Sequence, residues 1–303
     1  EIRKFLGEQR DGIKYMHDQT LRLMSHGYVP SEIANKINFP DSLARLWHLR
    51  GYYGALKHNV QGIYAYYLGW YDGNPANLDK LPPRELAIKT LEYMGGINNV
   101  LKRTKIDFEK GEYRWVVYIL DKILWAYPDN TEAKELAALT HTQLGFSSEN
   151  ATWRNAYLSA AQELREGIPS EGKNHRILRD VLKGMSPILL LNSLSIRVNG
   201  PKAENEFFTI NWKIKNSNIA CHSELTNCVL VNREGIHNKA EVTVKITKDK
   251  LCQFALGEIK LLEINNEIEV IGDGKKLNVL NDILDIFPEW FPIATHSKKV
   301  DED

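Results

Sequence analysis

The sequence predicts a two-domain protein, all-α over residues 1–166 and α+β with an antiparallel sheet over 186–303. Two observations carry that reading. Apolar residues recur at helical spacing through the first half, and from about Ser186 the period changes to strand alternation. The stretch between them, with Pro169-Ser170-Glu171-Gly172, reads as a linker over 167–185. At 303 residues the chain is long enough to bury two ordinary cores.

In the first half, Phe5, Ile13, Met16, Leu21, Leu23 and Met24 share helical spacing up to Gly27, which suits a helix end. Ser31 to Ile37 and Asp41 to Leu49 are short helices separated by Pro40, each opened by a capping residue type. A longer helix is predicted from about Gly54 to Tyr67. Asp72-Gly73-Asn74-Pro75 and Pro82-Pro83 then break the chain, and Pro83 opens a helix that Gly95-Gly96 stop. From Gly111 the signature sharpens. Gly111-Glu112-Tyr113, Pro128-Asp129-Asn130 and then Ala133, Leu136, Ala137 and Gly145 match the register of one tetratricopeptide repeat. One such helix pair cannot bury its own face, so it must stack on neighbours, and a helix from about Asn150 to Arg165 is placed to serve.

In the second half, Pro187 to Leu194 is an apolar helix. Phe208, Ile210, Trp212 and Ile214 share one face of a strand, and Val242, Val244 and Ile246 share one face of another. Strand-like runs also occur at Cys228 to Val231 and Ile268 to Ile271, with helical patterns at Lys248 to Leu256 and Leu277 to Ile286. Gly272-Asp273-Gly274-Lys275-Lys276 lacks the second half of a phosphate-binding loop and reads as a strand-to-helix turn.

Lys and Arg number 39 against 39 Asp and Glu, so no whole-chain field draws the protein to nucleic acid or an anionic membrane surface. No apolar run approaches the ~18 residues of a membrane span. Glu1-Ile2-Arg3-Lys4 begins an amphipathic helix without a signal-like core or cleavage site, which fits a cytoplasmic chain and a mature exported chain alike. Cys221, Cys228 and Cys252 form no CxxC pair and read as apolar thiols rather than disulfide or zinc partners. Asn150-Ala151-Thr152 fits the glycosylation triplet only by pattern.

Hydrolytic motifs are absent from the sequence. A binuclear zinc hydrolase needs closely spaced imidazoles and carboxylates such as His-x-His-x-Asp-His, and the nine histidines show no such spacing. The densest chemistry lies in Arg50 to Pro75, where Tyr52, Tyr53, Tyr64, Tyr66, Tyr67, Trp70 and Tyr71 surround His58 and Asn59. One account is an aromatic oligomer interface. The other is a wall of imidazole, amide and phenol groups beside an active site, able to hydrogen-bond an anion and protonate a leaving oxygen.

The segments Tyr15-Met16-His17-Asp18-Gln19-Thr20, Arg50-Gly51-Tyr52-Tyr53-Gly54, His58-Asn59 and Tyr67 through Pro75 resemble the dimerisation region of the class III alkyl sulfatases, in order and near the expected spacing. Ile210-Asn211-Trp212 and Val242-Thr243-Val244 are similar, more loosely, to the terminal domain of those enzymes, which has a sterol-carrier-protein-2-like fold. The resemblance implies a three-part metallo-β-lactamase-related enzyme that hydrolyses alkyl sulfates such as dodecyl sulfate to alcohol and sulfate. Its binuclear zinc site is expected in a catalytic domain or chain outside this one, which is therefore expected to hold no cofactor and to be inactive alone. The expected partners are a second copy, the metallo-β-lactamase-like part, and an alkyl sulfate or other apolar small molecule. The resemblance places His58 near the sulfate as leaving-group acid, with Tyr52, Asn59, Tyr67 and Trp212 as substrate contacts. His17 fits the pattern too and is expected to be a packed, hydrogen-bonded histidine. Trp212, Phe254, Leu256, Leu280, Leu284, Phe287, Trp290 and Phe291 are the candidates for core or alkyl groove. The alternative is a dimeric lipid or sterol carrier without catalysis, and a third reading is a repeat scaffold binding peptide through the aromatic segment.

Overall fold

The amphipathic start of the chain forms a long helix, α1 (Ile2–Ser25), which turns out through Gly27 in the left-handed region (φ 81°), a conformation that costs glycine little. Helices α2 (Pro30–Lys36), α3 (Asp41–Ala44) and α4 (Leu56–Leu68) follow, with a 3-10 turn at Trp47–Leu49 where a continuous helix from Asp41 was expected. Ile33, Ala34, Ile37, Val60 and Tyr64 close with Leu23 into a small core between α1, α2 and α4. Then come α5 (Pro83–Tyr93), α6 (Ile97–Glu109), α7 (Tyr113–Ala126), α8 (Thr131–Ser147) and α9 (Ala151–Glu166). Their shared core holds Leu91, Val116, Leu120, Ile123, Ala133 and Ala137.

The small residues of the repeat register sit where helices cross. A Cβ on Gly145 would come within 2.8 Å of the Leu158 side chain, so glycine there lets α8 and α9 approach closely. Asn130 and Asn150 cap α8 and α9 by accepting the N–H groups of Ala133 and Trp153, each at 2.8 Å and each contributing about 1 kcal/mol.

The computed structural model describes residues 1–168, 175–261, 267–288 and 290–296. They form two compact units, one of Glu1–Ile168 with the segment from Pro292 onward, the other of Pro169–Phe291. The returning segment is anchored within the first unit. The Glu163 carboxylate accepts the N–H groups of Ile293 (2.8 Å), Ala294 (3.0 Å) and Thr295 (2.8 Å) and the Thr295 hydroxyl. His296 stacks on Trp125 and meets Asp121 at 2.8 Å. Sequence patterning places these last residues with the second half; backbone N–H groups seeking a buried carboxylate place them with the first.

The second unit opens with α10 (His175–Gly184), a helix inside the stretch read as linker. Its Leu182 joins the unit's core, which the Gly- and Pro-rich neighbourhood obscures in the sequence. After α11 (Pro187–Ser195) come β1 (Phe208–Ile214), β2 (Ala220–Thr226), β3 (Val229–Glu234), β4 (Val242–Ile246), α12 (Lys248–Ala255), β5 (Ile268–Gly272) and α13 (Lys275–Ile283). The sheet order is β3-β2-β1-β4-β5. The expected antiparallel pairing holds for β1–β2, β2–β3 and β4–β5, but β1 and β4 run parallel at the centre, so the sheet is mixed.

Strand β2 (Ala-Cys-His-Ser-Glu-Leu-Thr) carries too few β-branched residues to stand out by pattern, yet it is the partner that buries Trp212. Register sets Ile210 opposite Val242, Trp212 opposite Val244 and Ile214 opposite Ile246, all on the core face. Gly272 ends β5 at φ 101°, where a Cβ would lie 2.3 Å from the Glu241 carbonyl oxygen, and the chain turns into α13 as expected. Cys221 and Cys252 are buried, and burial pushes both thiols up; Cys228 is half-buried.

Candidate functional site

Helices α1 and α4 build the site in the first unit. His58 and Asn59 stand on the first turns of α4, Tyr66 and Tyr67 on its last, and α1 brings His17 alongside. Together with Gly62 and Ile63 they line a cavity of about 380 Å³. A second hollow of about 500 Å³ shares Asn59 and is lined on other sides by Met16, Phe39, His48, Leu56 and Arg50.

The loop before α4 is held by backbone chemistry. Asn150, 5% exposed, uses its amide to bond the carbonyl oxygens of Tyr53 and Gly51, while the Ala151 N–H donates to the Tyr52 carbonyl at 2.8 Å. Thr152 adds its hydroxyl to Tyr53 O at 3.2 Å, and Arg50 pairs with Glu149. A Cβ on Gly51 would lie 2.8 Å from the Gly54 oxygen, and one on Gly54 would lie 3.2 Å from the Asn59 amide. Glycine at both positions therefore lets the loop fold tightly against Asn59. The triplet that matched a glycosylation pattern thus has its Asn150 buried as a cap and loop anchor. Sequence patterning placed a helix start near Asn150 but gave no sign of its bonds across nearly a hundred residues.

His58 stands edge-on to Trp153 at 6.4 Å between ring centroids. His17 was expected to be packed away. It is hydrogen-bonded as expected but remains partly exposed on the cavity, with Nδ1 3.0 Å from an Asp18 oxygen and Nε2 2.8 Å from the Tyr67 hydroxyl. The His17 bond holds the Asp18 carboxyl below its ordinary range, with Lys14 at 2.6 Å adding to the effect. No carboxylate lines this cavity, so its polar lining is imidazole, amide and phenol.

Of the predicted substrate contacts, Asn59 and Tyr67 join His58 in the cavity. Tyr52 lies outside its lining, exposed, with Arg50 over its ring at 5.4 Å. Trp212 requires a correction. It is fully buried in the second unit, with Nε1 donating to Ser223 Oγ at 2.8 Å and the indole stacked on Phe254. Its alternation pattern marked a buried face, and β2 closes over it, leaving no surface for a ligand. Phe254, Leu280 and Leu284 are core as well, and Leu256 is partly buried against it, whereas Phe287, Trp290 and Phe291 are exposed.

Among the described residues no group of three or more His, Cys, Asp or Glu is placed to hold a metal ion. No described helix is long and apolar enough to cross a membrane.

The chain thus combines a helical unit bearing an aromatic-lined cavity with a unit built on a mixed five-stranded sheet. Residues 29–167 match the family described as alkyl sulfatase dimerisation, and residues 176–296 match alkyl sulfatase C-terminal. The chain is 40% identical over 295 residues to an alkyl/aryl-sulfatase of Saccharomyces cerevisiae, covering 97% of this chain and 45% of that protein. It is 39% identical over 301 residues to an (R)-specific secondary-alkylsulfatase of Pseudomonas sp., covering 97% of this chain and 45% of the relative. Among solved structures, a stereoselective inverting sec-alkylsulfatase from Pseudomonas sp. superposes with a TM-score of 0.88 at 38% identity, covering 97% of this chain and 47% of that one. The chain belongs to the alkyl sulfatase family, whose dimerisation and C-terminal domains it carries, and it spans about half the length of the curated relatives it matches.

Proposed function

We propose that this chain forms the dimerising, non-metal portion of an alkyl sulfatase that hydrolyses alkyl sulfate esters such as dodecyl sulfate. Residues 1–166 dimerise and wall the active site, residues 186–303 receive the alkyl tail, and a metallo-β-lactamase-like domain or chain supplies the binuclear zinc. The observation that supports the reading most is the convergence of His58, Asn59 and Tyr67 on one cavity whose lining includes no carboxylate. Imidazole, amide and phenol can all donate hydrogen bonds to sulfate oxygens, and the imidazolium of His58 is suited to protonate the departing alkoxide oxygen. Exposed Phe287, Trp290 and Phe291 offer apolar surface for a tail, whose burial contributes about 0.8 kcal/mol per CH₂.

The experiment is sulfate release from dodecyl sulfate by the chain joined or mixed with its metallo-β-lactamase-like part, comparing native His58 with His58→Ala. Loss of about 10²-fold or more in kcat, with zinc content unchanged, is the expected outcome. Unchanged kcat would remove His58 from the chemistry. The same exposed aromatics favour a second reading, a dimeric lipid or sterol carrier; it predicts apolar-ligand binding by the chain and no sulfate release in any mixture.

A further inference from the structure

Asp18, His17 and Tyr67 form a hydrogen-bonded line that ends in the cavity, and its geometry dictates which proton sits where. The Asp18 carboxylate faces Nδ1 of His17 at 3.0 Å and is also paired with Lys14, so Nδ1 keeps its proton and Nε2 is the site that varies. Nε2 lies 2.8 Å from the Tyr67 hydroxyl. With Nε2 bare, the Tyr67 O–H donates to it and the phenol turns its lone pairs toward the cavity. With Nε2 protonated, the imidazolium donates to the phenol oxygen and the Tyr67 proton is free to donate into the cavity. One proton therefore adds one positive charge and exchanges an acceptor for a donor.

We propose that His17, oriented by Asp18, is a positioning residue that turns Tyr67 into a hydrogen-bond donor, so that the cavity binds a sulfate-type oxyanion together with one proton. This rests on the cavity being the anion-facing wall described above. It adds a coupling that neither His58 nor the phenol supplies alone. The groups around His17 are few. On its own helix they are Lys14 and Asp18, and from α4 they are His58, Tyr66 and Tyr67. From α2, Glu32 is engaged by the Val29 N–H and Lys36 lies over Tyr28; in the 3-10 turn His48 faces Glu8.

The test uses the full chain and inorganic sulfate, with chloride at equal ionic strength as the control for screening. Sulfate affinity is measured calorimetrically at about pH 5.5 and about pH 8, either side of the histidine range. His58→Gln serves as the background, so that the remaining dependence belongs to His17. About fivefold tighter binding at the lower pH is expected, a size suited to a partly exposed charge-assisted contact. Adding His17→Gln should abolish the ratio, and adding Tyr67→Phe should reduce it while the charge remains. Nitrogen NMR of the unaltered chain should find His17 at the higher pH with Nδ1 protonated and Nε2 bare. No pH ratio in the His58→Gln background, the opposite tautomer, or no sulfate binding would each overturn the proposal. Repeating the titration with methyl sulfate separates the ester from the free anion. Because no readout is catalytic, failure here is distinct from failure of His58→Ala to lower activity.

Discussion

Glu163 is the residue whose removal should tell most about the first unit. Its carboxylate, 7% exposed, accepts three successive backbone N–H groups and one hydroxyl from residues 293–295. Bonds to a charged acceptor contribute about 1.5–3 kcal/mol each, and four on one group are not additive. In Glu163→Ala the Ala294 N–H, which is buried, loses its partner, whereas the bonds of Ile293 and Thr295 are only part-buried. The expected loss is about 2–4 kcal/mol, limited by the free energy holding the segment down, because the segment undocks rather than keep an orphaned donor.

Glu163→Gln should lose about half as much, since one oxygen remains to accept while its amide faces N–H donors. Burial would raise the Glu163 pKa, but the N–H groups of Ile293, Ala294 and Thr295 and the Thr295 hydroxyl together hold it below the ordinary 4.5. A depressed carboxyl contributes stability that is complete above its unfolded pKa and fades as pH falls through the folded one. The Glu163 contribution to docking should therefore weaken below about pH 4.5 and stay constant between about pH 6 and 8. Urea unfolding and amide exchange at Ala294 and Thr295 read both effects. Unchanged exchange at Ala294 in Glu163→Ala would refute the carboxylate anchor.

Asn150→Ala should cost about 1–2 kcal/mol as a lost cap and also free the loop at Gly51–Tyr53, seen as faster amide exchange there and earlier proteolysis. Trp212→Phe should destabilise the second unit by about 2–4 kcal/mol in urea, because it removes core volume and the N–H donor to Ser223. An effect within about 0.5 kcal/mol would refute the core role and reopen the substrate-contact role expected from the sequence.

Much of this protein was legible from local patterning. Helical period, Pro and Gly placement and the repeat register located α2, α4, α5 and α7–α9, and alternation located β1 and β4. These signals are local because each depends on neighbours within a few residues. The segments Tyr15 to Thr20, Arg50 to Gly54, His58-Asn59 and Tyr67 to Pro75 together indicated the family by resemblance, in their order and spacing.

Tertiary structure decided the rest. Strand β2 is a strand because β1 and β3 pair with it, and only that pairing buries Trp212 beside Ser223. The parallel β1–β4 ladder at the sheet's centre follows from core packing that no single strand encodes. His17 became a cavity residue when α4 set Tyr67 against its Nε2, fifty positions away. Residues 293–295 joined the first unit because a buried carboxylate on α9 satisfied their N–H groups. Hydrogen bonds and burial between distant segments have no period in the sequence, so only the folded chain reveals them.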